Sequence, residues 1–287
     1  MRIAIATCAA LPEGFADDQP LARALAAEFA VWDSPEVDWG RFDRVIVRSP
    51  WDYTLKRDAF LDWADTLGER VQNHPEVLRW NSDKRYLADL AEAGLPVVST
   101  EFVGPDDPLP SLTGEIVVKP TISAGARDTG RFSEGVHEEA AALVARVRDE
   151  GRTAMVQPYL PAVETHGETA IVFLRDELSH VLRKGTVLGP DEEAPIREED
   201  GLGTAAVMWD PELVVAGEAD EAERELGRQV VAHLADRFGA APLYARVDML
   251  PGPDGGPVVL ELEVVEPCLY LGTAPGAVDR LAAAVRA

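Results

Sequence analysis

Two short acidic stretches near the end of the sequence constrain the fold more than any other feature. Arg246-Val247-Asp248 and Glu261-Leu262-Glu263 both lie in runs that are typical of strands, and a Pro- and Gly-rich turn at 251–256 joins them. Side chains two residues apart on a strand point to the same face. The sequence therefore predicts a β-hairpin on which Asp248, Glu261 and Glu263 converge.

Three carboxylates at one place repel one another unless a cation neutralises them. A hard divalent cation such as Mg²⁺, or Mn²⁺ in its place, takes oxygen ligands of this kind. Asp248, Glu261 and Glu263 are therefore candidate metal ligands. The alternative is an acidic face in contact with solvent, because alternating charges are common on the exposed face of a sheet. The pattern alone leaves both readings open.

The chain is strongly acidic, with 51 Asp and Glu against 27 Lys and Arg, and a formal net charge of −24 in 287 residues. This charge argues against binding to a nucleic-acid backbone or to an anionic membrane surface. No apolar run reaches membrane-spanning length, and two cysteines are too few for a disulfide framework. The N-terminus lacks the pattern of a signal peptide. We therefore expect a cytoplasmic protein without nucleic-acid or membrane partners.

Alternating strand and helix periodicities predict a mixed α/β fold, with a small α/β domain at 1–79. The predicted strands are at 2–7, 44–48, 97–103, 115–120, 155–160, 168–174 and 179–184. The predicted helices are at 19–30, 60–67, 81–90, 136–149, 219–238 and the C-terminus, and a loop is predicted at 185–205.

Lys119 ends a β-branched strand pattern and is followed by Pro120 and a small-residue turn at 121–126. An ammonium group beside backbone N–H groups that no bulky side chain covers is suited to binding phosphate. A solvated surface lysine is the alternative. Lys84 lies at the start of a predicted helix, where a cation is mildly disfavoured, so a nearby anion would compensate for it.

The proline-interrupted segment 155–161 predicts a strand that breaks into an extended linker. Its unpaired backbone groups could bind the edge of an adenine, and Glu164 or Glu168 could bind ribose hydroxyls; an inter-domain hinge is the alternative. Arg183-Lys184 and Arg246 lie near the predicted carboxylates and could stabilise a transferring phosphoryl group. Ordinary salt bridges are the alternative for these cations.

Taken in order, the segments from about residue 81 to 270 resemble the ATP-grasp superfamily. Lys84 and Lys119 resemble its two ATP-binding lysines, and the hairpin resembles its Mg²⁺-ligand strands. Glu263 departs from the superfamily, in which Asn is common at this position. The lid loop also departs, since it has a single glycine. The resemblance implies nucleotide contacts from Lys84, Lys119, Ser123, Ala124, Gly125, Ala126, Gln157, Pro158, Tyr159, Leu160, Glu164 and Glu168.

The resemblance implies an α/β (α+β) ATP-grasp fold with a Rossmann-like N-terminal domain at 1–79. A central ATP-grasp domain would comprise 80–99 and 157–287, and a lid subdomain 100–156. The implied cofactors are ATP and Mg²⁺, and the implied catalytic residues are Arg246, Lys184 and Arg183. The candidate residues for binding a small-molecule carboxylate substrate are Arg48, Trp51, Tyr53, Arg127 and Thr129.

Within the superfamily the chain is similar to the branch of RimK and glutathione synthetase. Three stretches, 48–53, 80–87 and 118–129, resemble ligases that close an O-substituted serine to cycloserine. The resemblance thus implies a ligase that activates a carboxylate as an acyl phosphate for attack by an amine-type nucleophile, within one molecule or between two. A non-catalytic ATP-binding protein on the same scaffold is an alternative, and a hydrolase is another. Homodimers are common in the superfamily, and the sequence leaves the oligomeric state open.

Overall fold

The computed structural model describes residues 1–194, 196–197 and 204–287. The α-helices are α1 Gln19–Leu25, α2 Arg57–Leu67, α3 Pro75–Asn81, α4 Tyr86–Glu92, α5 His137–Asp149, α6 Ala162–His166, α7 Glu221–Phe238 and α8 Ala277–Arg286. The strands are β1 Ile3–Thr7, β2 Glu28–Val31, β3 Arg44–Ser49, β4 Val71–Gln72, β5 Glu101–Val103, β6 Ile116–Pro120, β7 Gly130–Phe132, β8 Ala154–Pro158, β9 Glu168–Leu174, β10 Glu177–Lys184, β11 Glu192–Glu193, β12 Ile196–Arg197, β13 Thr204–Ala205, β14 Val214–Ala216, β15 Tyr244–Pro251 and β16 Pro257–Glu263.

The N-terminal sheet is parallel, with the strand order β2-β1-β3-β4. Every residue of β1 is buried, as expected for a central parallel strand covered on both faces. The predicted helix at 19–30 is wrong in its last part. Helix α1 ends at Leu25 because Ala26 adopts a left-handed conformation, with φ 51°. The chain then reverses, and Glu28–Val31 pairs with β1.

The second sheet is antiparallel, with the strand order β11-β7-β6-β8-β5, and α5 packs on it. Its core includes Val118, Leu143 and Val147, all fully buried. Strand β8 continues to Pro158. Gln157 and Pro158 therefore belong to this sheet.

The third sheet is antiparallel, with the order β14-β10-β9-β15-β16. Helix α7 begins at a capping box formed by Asp220 and Glu223 and packs on β9 and β15. The predicted hairpin is confirmed: Arg246 lies opposite Glu263, and Asp248 lies opposite Glu261. The predicted α/β fold class is confirmed by the three sheets and the helices that pack on them.

The connection between α3 and α4 differs from the predicted helix at 81–90. Helix α3 ends at Asn81 and α4 begins at Tyr86, because Asp83 accepts a hydrogen bond from the Arg85 backbone N–H at 3.0 Å. Lys84 thus lies in the connection, where its backbone N–H donates to the Thr121 carbonyl at 2.8 Å.

The predicted loop at 185–205 falls partly outside the described residues, which omit 195 and 198–203. Its described parts contain β11, which pairs with β7, and the short pair β12–β13. Within the described ranges, none of the helices is both long and apolar enough to cross a membrane.

Candidate active site

A cleft lies where the three sheets meet, and each sheet or its connections contribute to the lining. Most of the residues that the sequence predicted as functional line this cleft. They are Trp51, Tyr53, Lys84, Lys119, Ser123, Ala124, Gly125, Ala126, Thr129, Gln157, Pro158, Tyr159, Leu160, Glu168, Lys184, Arg246, Glu261 and Glu263.

One group of lining residues is apolar. Tyr159, Val163 and Leu250 form a buried cluster, and Val117, Leu160 and Leu260 pack against it. An apolar surface with a few polar groups is the usual lining for a planar aromatic ligand. Sequence reasoning found Tyr159 and Leu160 but missed the others, because an apolar residue on a strand does not show which ligand or layer it will face.

Two lysines from different parts of the chain meet one carboxylate in the cleft. The Lys84 Nζ lies 3.2 Å from Glu261 Oε1, and the Lys119 Nζ lies 3.8 Å from Glu261 Oε2. The Lys84 ammonium also donates to the Ser123 carbonyl of the small-residue loop at 2.8 Å. The strand-end lysine, the connection lysine and the loop therefore surround one anionic position.

The small-residue loop packs closely on the segment that contains β13. Gly125 has a φ of +62°, and a Cβ atom at this position would lie 2.4 Å from Thr204 Cγ2 and 3.2 Å from Thr204 Cα. The Gly125 carbonyl also accepts from the Ala205 N–H at 2.7 Å. Glycine is required here both by its backbone conformation and by the lack of space.

Arg246, Lys184 and Asp248 form a buried ion cluster. Arg246 binds Asp248 through two nitrogens, Nε to Oδ1 and a terminal nitrogen to Oδ2, both at 2.8 Å. The Lys184 Nζ lies 2.7 Å from Asp248 Oδ2 and 2.7 Å from Glu168 Oε2. Arg246 also pairs with Glu263. The carboxylates that the sequence predicted at one face are therefore each paired with cations of the protein.

These contacts shift the pKa values of the acids in different directions. Burial raises the pKa of Asp248, but the charges of Arg246 and Lys184 outweigh it, so the pKa is lowered. Burial also raises the pKa of Glu261, and Lys84 and Lys119 together lower it to about 2. Burial raises the pKa of Glu263. Arg246 only partly opposes this effect, and the charges of Asp248 and Glu261 add to it. Asp248 and Glu261 are therefore ionised at neutral pH.

The donor set suits a hard cation, because Asp248, Glu261 and Glu263 offer only oxygen. In the part of the chain that the structure describes, no three His, Cys, Asp or Glu side chains are gathered in a metal-binding arrangement. Each of the three carboxylates is instead paired with Lys or Arg. Glu261 and Glu263 line the cleft, so they can reach a cation by exchanging those partners. Asp248 is 1% exposed and would have to leave Arg246.

Four other predicted residues lie away from the described lining of the cleft. Arg183 is next to Lys184 on β10 and so points to the opposite face, where it donates to Thr169 Oγ1 and to the Glu218 carbonyl. Glu164 pairs with Arg131 at 2.8 Å and accepts from the Tyr159 hydroxyl at 3.1 Å. Arg127 follows the lid loop without contributing to the described lining.

Arg48 is the fourth of these residues. It is 2% exposed, pairs with Asp18 at 2.8 Å and donates to the Pro267 carbonyl at 2.7 Å. Arg48 therefore supports the segment that follows the hairpin, and its charge is taken by Asp18.

That segment contributes lining residues that sequence reasoning missed. Glu266, Cys268 and Tyr270 line the cleft beside Phe15, Trp51 and Tyr53. The rings of Phe15 and Trp51 are 5.0 Å apart between centroids. Glu266 could have been noticed as a third acid in alternation with apolar residues, but its spacing from Glu263 breaks the period of a strand.

Solved structures of low sequence identity share this architecture. A RimK domain ATP-grasp protein from Sphaerobacter thermophilus superposes with a TM-score of 0.66 at 16% identity over 100% of both chains. A D-alanine–D-alanine ligase from Bacillus anthracis superposes with a TM-score of 0.65 at 14% identity, over 100% of this chain and 96% of that one. The chain therefore has the ATP-grasp fold.

Sequence similarity narrows this class further. Residues 3–75 match the family model described as the N-terminal domain of the D-cycloserine synthetase DcsG. The cycloserine biosynthesis protein DcsG of Streptomyces lavendulae is 35% identical over 261 residues, which are 86% of this chain and 83% of that protein. The crystal structure of D-cycloserine synthetase DcsG superposes with a TM-score of 0.85 at 32% identity, over 99% of this chain and 98% of that one. The chain belongs to the DcsG family of ATP-grasp ligases.

Proposed function

We propose that the protein is an ATP-dependent ligase that activates the carboxylate of an O-substituted serine as an acyl phosphate and closes it to cycloserine. The observation that carries this proposal is the cluster of four cations, Lys84, Lys119, Lys184 and Arg246, that lines one cleft beside an apolar surface. A cleft of this composition suits a nucleotide triphosphate and a carboxylate together. The similarity to a cycloserine biosynthesis protein and to a D-cycloserine synthetase supports the choice of substrate.

The nucleotide would occupy the apolar group and the lysines. Tyr159 and Leu160 would contact the adenine, with Gln157 and Pro158 beside them, and Glu168 would bind the ribose. Lys84 and Lys119 would exchange Glu261 for phosphate oxygens. The backbone of the loop at 123–126 would bind the terminal phosphates, since its small side chains leave the N–H groups accessible.

Mg²⁺, or Mn²⁺, would be held by Glu261 and Glu263, with Asp248 as the third oxygen donor. When bound, this ion neutralises charge on the β- and γ-phosphates during transfer. Glu261 would then gain a cation as Lys84 and Lys119 turn to phosphate. The same carboxylate would thus be neutralised with and without nucleotide.

The protein's own groups would act on the reacting carboxylate. Arg246, released as Asp248 turns to the cation, would bind the substrate carboxylate and the charge that develops on the transferring phosphoryl group. Lys184 would contribute a second positive charge. A carboxylate oxygen attacks the γ-phosphorus and ADP leaves. The lid sheet at 100–156 would cover the acyl phosphate and exclude water, which would otherwise hydrolyse it.

Ring closure would follow within the same molecule. The nitrogen bonded to the side-chain oxygen of the serine attacks the acyl carbon, forms the C–N bond, expels inorganic phosphate and loses its proton. When the substituent is a ureido group, water cleaves the bond between this nitrogen and the carbamoyl carbon and releases carbamic acid, which breaks down to CO2 and NH3. Trp51, Tyr53 and Thr129 line the cleft and would position the substituent for this attack.

ADP release in the presence of ATP, Mg²⁺ and O-ureidoserine tests the proposal. We expect ADP release with O-ureidoserine as the only added substrate. One phosphate should be released per ring formed, and mass spectrometry should identify the cyclic product. Release that requires a second amine, added as a free amino acid, would instead support an intermolecular ligase. ATP binding without ADP release from any carboxylate would leave a non-catalytic ATP-binding protein.

Glu261→Gln should lower the rate of ADP release about 100-fold or more, because it removes a cation ligand and the partner of two lysines. Circular dichroism should show a folded protein. Glu177→Gln is a matched control, since Glu177 is exposed at the start of β10 and should retain the wild-type rate. Unchanged turnover of Glu261→Gln would remove Glu261 from the metal site.

A further inference from the structure

Glu266 differs from the other acids of the cleft in its partners. It lines the cleft three residues after Glu263, and the Tyr53 hydroxyl donates a hydrogen bond to its carboxyl group. Its backbone carbonyl accepts from Trp51 Nε1 at 3.4 Å. These contacts fix the position of the side chain, because Tyr53 is itself buried and packs on Phe60 with 4.8 Å between ring centroids.

Glu266 has a neutral partner where the neighbouring acids have charged ones. Among the described residues, no Lys, Arg or His nitrogen forms an ion pair with its carboxylate, whereas Glu261 has two lysines and Glu263 has Arg246. The charges closest in effect are the like charges of Glu263 and Glu261, opposed by Lys84. Burial and Glu263 raise the pKa of Glu266 to about 8.

A half-buried carboxylate without a charged partner favours a cation from outside the protein. Burying a charge is costly unless a partner compensates for it, and this position keeps an acid where a Gln would make the same hydrogen bond to Tyr53. A ligand cation at Glu266 would supply the missing partner. Nucleotide binding makes the need greater, because Lys84 would then be engaged with phosphate.

We propose that Glu266 binds the α-ammonium group of the substrate, so that the cleft selects α-amino acids over other carboxylates. This inference rests on the proposed function for the identity of the carboxylate that is activated. Arg246 and Glu266 line one cleft, and a ligand cation would favour the ionised form of Glu266, so the two could take the carboxylate and the ammonium group of one α-carbon. The two are also linked through the backbone: Arg246 donates to the Cys268 carbonyl at 2.9 Å, two residues beyond Glu266.

The aromatic residues around Glu266 suit the same ligand. Phe15 and Trp51 lie side by side in the lining, and Tyr270 lines it as well. Aromatic faces attract an ammonium group and exclude water from its ion pair. The Tyr53 hydroxyl would hold the Glu266 carboxylate in place.

Calorimetric titration of the full chain, with ADP and Mg²⁺ present, tests the inference with two probes. One is O-ureidoserine, and the other is its des-amino counterpart, 3-(carbamoylaminooxy)propanoate, which keeps the carboxylate and the ureido group. We expect the wild type to bind the amino compound about 30-fold more tightly, as for a buried charge pair. Glu266→Gln should reduce this ratio to about 3-fold or less, and Glu177→Gln should keep it.

The binding ratio separates this inference from its alternatives. The inference would be overturned if the wild type bound both probes equally or bound neither. An unchanged ratio in Glu266→Gln would also overturn it. If Glu266 served as a proton donor, Glu266→Gln would lower ADP release equally for both probes and leave the binding ratio unchanged. That result would also overturn the inference. Selective binding of the amino compound without ADP release would support the ammonium site while refuting the proposed ligation. Unchanged affinity for ATP and a cooperative thermal transition would show that Glu266→Gln is folded.

Discussion

The cleft has a charged centre, around Asp248 and Glu261, and an aromatic end, around Trp51, Tyr53 and Glu266. The two regions give acidic side chains different partners. At the centre, Asp248 is fully compensated by Arg246 and Lys184, and Glu261 by Lys84 and Lys119. At the aromatic end, Glu266 has only the hydroxyl of Tyr53. A buried charge is stable when it is paired and costly when it is not. We therefore expect a ligand to replace these internal partners at the centre, whereas at the aromatic end a ligand would supply the cation that Glu266 lacks.

The largest expected effect comes from breaking the central pairing. Arg246→Met leaves Asp248 with Lys184 alone and Glu263 without its partner, so we expect the free energy of unfolding in urea to fall by about 3–5 kcal/mol. ADP release should be lost as well. Arg228→Met is a matched control, because Arg228 forms its ion pairs with Glu221 and Glu225 in solvent. That variant should unfold at the wild-type urea concentration, and an equal loss in both would contradict the comparison.

Acid should weaken the centre in a defined pH range. The pKa of Glu261 falls from its ordinary 4.5 to about 2 in the folded protein, because Lys84 and Lys119 outweigh burial, Asp248 opposes them and Lys184 assists. The stabilisation that results is complete above about pH 4.5 and is lost as the pH falls towards 2. We therefore expect Tm, measured without Mg²⁺, to fall in this range.

Glu261→Gln should be less stable than the wild type at pH 7 and should lose less Tm on acidification, since it has no carboxylate to protonate there. Glu177→Gln should follow the wild-type curve. Parallel curves for Glu261→Gln and the wild type would show that the lysine pairs contribute nothing to stability.

The smallest expected effect tests the aromatic end. The pKa of Glu266 rises from its ordinary 4.5 to about 8 through burial and Glu263, with Glu261 adding to them and Lys84 and Tyr53 opposing. The folded state then holds a proton that the unfolded state has lost, so stability falls as the pH rises from about 4.5 to 8. Without ligand, Glu266→Gln should raise Tm by about 2–4 °C at pH 8 and leave it unchanged at pH 5. A lower Tm at pH 8 would mean that Glu266 stabilises the fold.

Local patterns predicted several of the elements that form the cleft. The alternation around Asp248 and Glu261 predicted the hairpin, and its register places these residues opposite each other. The prediction failed at 19–30, where continuous apolar periodicity suggested one helix. Ala26 ends that helix, and pairing with β1 then favours a strand at Glu28–Val31, because the parallel sheet supplies hydrogen bonds that a single-sequence pattern cannot show.

Neighbouring charges on a strand also show where sequence reasoning stops. Arg183 and Lys184 are equivalent in the sequence, but strand pleating sends them to opposite faces, and only the position of β10 in the sheet decides which face is the cleft. Arg48 was a candidate for binding substrate, yet Asp18, 30 residues away in sequence, takes its charge in the interior.

The sequence by itself determined which charges this protein carries and in which elements they lie, since period, turn residues and strand ends are local properties. The tertiary structure decided which charges are paired. Lys84, Lys119 and Glu261 come from three separate segments, and Glu266 gains its role from the partners it lacks within the described chain. Ion pairing depends on distance and burial in three dimensions, and neither can be obtained from spacing along the chain.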